Sequence, residues 1–228
     1  MSHIPIHGTV YGVLLNAHHE WSLCEPFMRE APYQAPPSEP VLYIKTANTW
    51  SAHNAAIALP KHVPAIEIGA TLGVVIGEAN ANQENPMVGF VLLNDFSIPH
   101  GIAEQGFYRP PVKYKNGDGF LAIGPHLASW GDVPNPNQLA LEVRVNGTLQ
   151  QTVDLQTMRR HLPQLLADVS AFTPLKAGDV LMLGLDVCNQ GRDAGRRPQA
   201  FAGDEIEIHA PLCAALGHLR NRLFQETT

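Results

Sequence analysis

Cysteine is scarce in this chain: Cys24, Cys188 and Cys213 are the three among 228 residues, far apart and without a CxxC pair. That spacing excludes a disulfide framework and a thiolate zinc site. Positive charge is also limited, because 15 Lys and Arg against 21 Asp and Glu leave a net charge of −6. Such a chain has no general attraction to the phosphates of nucleic acid. No apolar run approaches the ~20 residues of a membrane span, and the opening MSHIPIHGTV lacks the basic-then-apolar order of a signal peptide. A cytoplasmic protein that binds neither nucleic acid nor membrane is expected. The chain also lacks GxxxxGK[ST], GxGxxG after a strand, GxSxG and HExxH. Nucleotide, serine-hydrolase and zincin chemistries therefore lack their markers, and no nucleotide or organic cofactor is expected.

What is present reads as a strand-rich domain. The chain is 45% apolar, and its nineteen prolines and nineteen glycines are scattered between short apolar runs. Candidate strands are Gly8 to Leu15, Val41 to Lys45, Ala70 to Ile76, Met87 to Leu93, Leu139 to Val145, Val180 to Leu183 and Asp204 to His209. LALEVRVNGTLQQTVD alternates apolar and polar residues around Asn146-Gly147, which predicts a two-residue hairpin. Two helices are expected. Thr157 to Phe172 sets Met158, Leu162, Leu165, Leu166, Val169 and Phe172 at helical spacing, with Pro163 forcing a kink or a later start. Trp21 to Glu30 is the shorter one. Gln190 to Ala202 reads as a long flexible loop, and the tail after His209 fits either a strand or a helix. With no linker or repeat, residues 1–228 are expected to form a single domain with its core over about residues 8–209.

Histidines 3 and 7 fall in an N-terminal arm, while adjacent His18 and His19 would face opposite sides of a strand. Each reads as a solvated or structural residue. Other landmarks run in a fixed order: GTVYGVLLN (8–16), YQAPP with VLYIKTANT (33–49), IGATLGVVIG (68–77), Asn94-Asp95, FYRP (107–110), KNGDGF (115–120), Gly124-Pro125, KAGDVLMLG (176–184) and Ala202-Gly203-Asp204.

In that order they resemble the fumarylacetoacetate hydrolase family across nearly the whole chain. The family presents a divalent metal from a strand reading Glu-x-Glu-Leu-x-x-Val-x-Gly and from a later aspartate. Counted back from Gly77, the glutamate positions fall on Gly69 and Thr71, and the aspartate is Asp95. These departures, with FYRP and KxxDGF, are similar to the N-terminal half or subunit of the family's isomerase/decarboxylase lineage in 4-hydroxyphenylacetate (homoprotocatechuate) catabolism.

The resemblance implies a mostly β fold with minor α, a mixed sandwich or roll. It implies decarboxylation of 5-oxopent-3-ene-1,2,5-tricarboxylate and isomerisation of 2-hydroxyhepta-2,4-diene-1,7-dioate. Lys115 would neutralise substrate carboxylate or enolate, with Asp118 capping its turn or orienting it. Arg109 and Lys113 would bind substrate carboxylates, and Lys45 would line or support the pocket. A Mg²⁺ would have Asp95 alone to hold it, since Glu67 lies ~6–7 Å along the strand from position 69. Pairing is implied too, as a homodimer or as a heteromer with a homologous C-terminal-type subunit. The alternative function is a catalytically degenerate partner that stabilises such a metal-binding subunit. A hydrolase of the acylpyruvate type is disfavoured, because it needs the metal and its activated water.

Overall fold

A computed structural model describes residues 5–31, 33–78, 87–100, 111–133, 135–191 and 193–226. The first third of the chain contributes β1 (Val10–Leu14), helix α1 (His18–Cys24), β2 (Val41–Lys45), β3 (Trp50–Ala52), β4 (Ala56–Leu59), β5 (Ala65–Glu67) and β6 (Ala70–Ile76). The middle adds β7 (Met87–Asp95), the short helix α2 (Pro111–Lys115), β8 (Leu121–Ile123), β9 (Ala128–Ser129), β10 (Ala140–Val145) and β11 (Thr148–Asp154). Helix α3 (Leu162–Ser170), β12 (Val180–Met182), β13 (Gln199–Phe201), β14 (Glu205–His209) and β15 (His218–Gln225) follow. The fold is mostly β, as the resemblance implies.

One mixed sheet runs β2-β1-β12-β6-β7-β8-β3, with β9 beside β7; a second runs β11-β10-β14-β15-β4. The first sheet curls on itself. β2 and β3 are consecutive in the chain but stand at opposite ends of that order, and Lys45 Nζ of β2 donates to Phe120 O, next to β8, at 3.2 Å. Its strands are therefore apolar on both faces, and β6 and β7 read as nearly unbroken apolar runs for that reason. Leu72, Val74, Phe90 and Leu92 join the main core, together with Leu141, Val143, Ile206 and Ile208 of the second sheet. Val10, Val75, Val91, Leu93, Leu121, Ile123, Val180 and Met182 form a separate cluster on the other face.

The hairpin forms at the expected place. Asn146 and Gly147 have φ of 49° and 77°, the two positive values a two-residue turn of this kind needs. Asn146 Nδ2 also donates to Asp204 Oδ1 at 2.7 Å, tying the turn to β14. Helix α3 begins at Leu162 with Pro163 in its first turn, where a missing N–H removes no helical bond. The preceding Leu155–Thr157 is a 3-10 turn, and Phe172 lies beyond the helix, half exposed. The other expected helix is earlier and shorter, His18–Cys24, followed by a 3-10 turn over Glu25–Phe27. The tail resolves as a strand, β15. The stretch read as one flexible loop includes β13, which pairs with β5, and Cys188 N donates to Arg196 O at 2.8 Å across its turn. No disulfide joins the three cysteines among the described residues; Cys188 and Cys213 are buried and Cys24 partly so. Among the described residues no helix is long and apolar enough to cross a membrane.

Candidate functional site

Alternation along the strands gathers the site on the inner face of the curled sheet, at the end of its apolar cluster. Asp95 follows Val91 and Leu93 at every second position of β7, and Tyr43 and Lys45 share one face of β2. Tyr43 reaches inward because its partner in register is Gly12. A Cβ at Gly12 would stand 2.0 Å from the tyrosine ring, so only glycine leaves the ring its place. Lys115 enters from the end of α2. That helix is held by Ile98 N donating to Tyr114 O at 2.8 Å and by Asn116 Nδ2 donating to Ile44 O at 3.2 Å.

These side chains converge on Asp95. Lys45 Nζ lies 2.9 Å from Oδ1 and Lys115 Nζ 2.8 Å from Oδ2, all three side chains sealed or nearly sealed from solvent. The Tyr43 hydroxyl donates to Oδ2. Lys45 also donates to the carbonyl of Lys115, so the cluster fixes the backbone that carries its second lysine. Burial works to raise the Asp95 pKa, but Lys115 and Lys45, with hydrogen bonds from Lys115 and Tyr43, outweigh it and hold the carboxyl well below its usual range. Burial pulls the Lys115 ammonium below its usual value, with Asp95 opposing and Arg197 and Lys45 assisting. Burial and the Asp95 charge push Tyr43 well up, so its hydroxyl stays a donor.

A second polar group flanks the first. Arg197 Nη2 meets Glu20 Oε1 at 2.5 Å and its Nη1 lies 3.8 Å from Glu67 Oε2. Burial acts to lower its pKa, yet Glu20 and Glu67 raise it overall, and its charge bears on Tyr43 and Asp95. Glu20 Oε2 accepts from Leu15 N at 2.9 Å, and Leu15 holds a left-handed φ of 59° that a branched side chain seldom adopts. His19 lies on helix α1 rather than a strand, and its Nδ1 pairs with Asp186 Oδ2 at 2.7 Å. Asn16, buried, donates to Leu183 O at 2.6 Å and to Arg160 O at 3.0 Å, latching the end of β1 to the segment after β12.

The candidates named from sequence are placed unevenly. Lys45, Asp95 and Lys115 come together. Lys113 is exposed on α2, 5.3 Å over the Tyr114 ring, away from that cluster. Asp118 accepts from Asn48 Nδ2 at 2.7 Å, so it anchors its turn to the segment after β2. Arg109 lies outside the described residues. Tyr43 and Arg197 were not anticipated. Tyr43 stands two residues before Lys45 and so shares its face, a signal that could have found it; Arg197 is one of several arginines in an irregular stretch and carries no such signal.

At Asp95, the one carboxylate the resemblance leaves for Mg²⁺, the surrounding residues do not suit a divalent cation. Mg²⁺ requires near-octahedral oxygen donors, and Asp95 has an ammonium 2.9 Å from Oδ1 and another 2.8 Å from Oδ2, although Oδ1 accepts no hydrogen bond. Gly69 supplies no donor, and a Cβ there would fall 2.3 Å from Asp95 O: the backbone has closed over the position. Thr71 contributes one neutral hydroxyl, buried and without a hydrogen-bond partner. Glu67 turns to Arg197.

Comparison with known proteins agrees with this architecture. A 4-hydroxyphenylacetate degradation bifunctional isomerase/decarboxylase from Salmonella dublin is 29% identical over 222 residues, covering 95% of this chain and 50% of that protein. A protein of the same name from Escherichia coli is 31% identical over 200 residues, covering 86% and 44%. The chain thus spans about half the length of these relatives. A 2,4-didehydro-3-deoxy-L-rhamnonate hydrolase from Sphingomonas sp. (strain SKA58) is 32% identical over 180 residues, covering 75% and 61%. The crystal structure of 2-hydroxyhepta-2,4-diene-1,7-dioate isomerase from Mycobacterium marinum shares the fold, with a TM-score of 0.71 at 22% identity over 99% of this chain and 78% of that one. The profile described as fumarylacetoacetate (FAA) hydrolase C-terminal matches residues 9–224. A curled β sheet with an aspartate at the end of β7, carried on a sequence that matches this profile almost from end to end, makes the chain a member of the fumarylacetoacetate hydrolase family.

Proposed function

We propose that this chain is a subunit of an isomerase/decarboxylase acting on an enol or dienolate flanked by carboxylates, and that Lys115 serves as its electrophile. The proposed substrates are 5-oxopent-3-ene-1,2,5-tricarboxylate and 2-hydroxyhepta-2,4-diene-1,7-dioate. The observation that carries this reading is the buried contact of Lys115 Nζ with Asp95 Oδ2 at 2.8 Å. A buried ammonium with a lowered pKa neutralises an oxyanion and exchanges a proton nearer neutrality than a solvated lysine does.

In decarboxylation the bond to the departing carboxylate breaks, CO₂ leaves, and the electron pair enters the conjugated system as a dienolate. Lys115 would neutralise that oxygen. In isomerisation the 2-hydroxyl loses its proton, its electrons rebuild the C2 carbonyl, and C5 takes up a proton. Asp95 stays ionised and holds the Lys115 ammonium in place, while Tyr43 holds Asp95. Pairing, as a homodimer or with a homologous C-terminal-type subunit, belongs to the same proposal.

A second reading, a catalytically degenerate partner of a metal-binding subunit, is favoured by the closed backbone at Gly69; under it the ion cluster serves stability alone. The test is consumption of the dienol by the purified chain alone in EDTA, and by its mixture with a metal-binding homologue in Mg²⁺. Turnover by the chain alone that falls by about 100-fold or more in Lys115→Met supports catalysis by this chain. Activity only in the mixture, unchanged by Lys115→Met, selects the partner reading.

A further inference from the structure

The outer face of the second sheet carries a group that the site above does not use. His209 of β14 and His218 of β15 stand directly opposite in the antiparallel register, and their rings stack with centroids 4.9 Å apart and planes 8° apart. Glu207, two residues before His209, shares their face. Its Oε1 lies 3.2 Å from His218 Nδ1 and 3.8 Å from His209 Nδ1. One ligand atom from each of the three residues falls within 4.8 Å of the other two.

We infer that Glu207, His209 and His218 form a binding site for a borderline divalent transition metal such as Zn²⁺, distinct from the family's carboxylate site. Zinc bonds of ~2.0–2.2 Å set neighbouring ligands ~3–3.5 Å apart; the Glu207 contacts at 3.2 and 3.8 Å are close to this, and because a ring nitrogen binds in the plane of its ring, the half-exposed His218 imidazole turns out of the stack to meet the ion. Two imidazoles and one carboxylate suit Zn²⁺, Co²⁺ or Ni²⁺ over Mg²⁺. Two further features favour an ion here. His209 Nδ1 is buried and has no hydrogen-bond partner, although an imidazole nitrogen ordinarily finds one. Arg220 bonds Glu207 Oε2, which orients the carboxylate and leaves Oε1 for a ligand, as outer partners do at metal sites. Glu142 Oε2 faces His209 Nε2 on the ring's far side at 3.7 Å. Three protein ligands leave the remaining position to water. An ion bound there staples β14 to β15, the strand that joins β4 to the sheet.

The site is tested on the full chain with Zn²⁺ in competition with a chromophoric chelator, and with Co²⁺ followed by its visible absorption. One equivalent of Zn²⁺ is expected, with a Co²⁺ band typical of four or five ligands and a rise in melting temperature on adding Zn²⁺. His218→Ala, at a half-exposed position, should weaken binding by roughly tenfold or more, the low end of what losing even an outer partner costs. His209→Gln should do the same, and His62→Ala, at an exposed position outside the site, should leave affinity unchanged. Absence of stoichiometric binding, or equal affinity in wild type, His218→Ala and His209→Gln, overturns the inference.

Discussion

Lys115 Nζ sits 2.8 Å from Asp95 Oδ2, with 6% of the lysine side chain and none of the aspartate exposed. Lys45 Nζ lies 2.9 Å from the other carboxylate oxygen. Two ammoniums thus share one carboxylate at the end of an apolar cluster, and an uncompensated charge there would be expensive.

Asp95→Asn removes the counter-charge for both lysines. Destabilisation of ~3–5 kcal/mol is expected, as for breaking a buried ion pair from one side. The check is the urea midpoint at unchanged slope. A loss below ~1 kcal/mol, the range of an exposed pair, would contradict the central role given to Asp95.

Stability should respond to pH from both ends. The folded-state pKa of Asp95 is depressed, so its contribution is complete above the ordinary carboxylate value of ~3.9 and is lost as pH falls toward the folded value. Lys115 is also depressed, so between its folded value and ~10.4 the unfolded chain binds more protons and stability rises with pH. Urea midpoints across acid and alkaline series measure both. Lys115→Met should abolish the alkaline rise.

Tyr43→Phe deletes the hydroxyl that donates to Asp95. A loss of ~1.5–3 kcal/mol is expected for a hydrogen bond to a charged group, and acid unfolding should begin at higher pH because the carboxylate is less well held. Unchanged acid stability by circular dichroism would contradict this.

Restoring the family glutamates should fail to restore a metal site. A Cβ at position 69 would lie 2.3 Å from the carbonyl of Asp95, so Gly69→Glu is expected to destabilise by ~1–3 kcal/mol through overpacking. With Lys45 and Lys115 retained, Gly69→Glu with Thr71→Glu should bind no Mg²⁺ detectable by calorimetry. Stoichiometric binding by that double variant would show that the ion cluster yields readily to a cation.

Much of the fold was legible because its signals are local. Val41 to Lys45 and Ala70 to Ile76 were readable to the residue, since short apolar runs between turn residues have few alternatives. Asn146-Gly147 named its turn because both residues tolerate positive φ. Three-residue strands such as β3, β5 and β8 escaped notice because they exist only through pairing with distant strands. Helix α1 starts three residues before the expected Trp21; there Glu20 and Asp186, 166 positions apart, meet through a backbone N–H and a carboxylate.

The sequence by itself determined the family, the longer strands and their order along the chain, the two missing glutamates, and Asp95 and Lys115 as the charged residues of interest. These follow from residue identity and spacing. Tertiary structure alone decided what Asp95 does. The curl of the first sheet brings β2 against β7 and α2, so Lys45 and Tyr43, about fifty positions away in the chain, reach the same carboxylate as Lys115. In an apolar interior a carboxylate must be neutralised by whatever charge the fold delivers, and here the fold delivers two ammoniums.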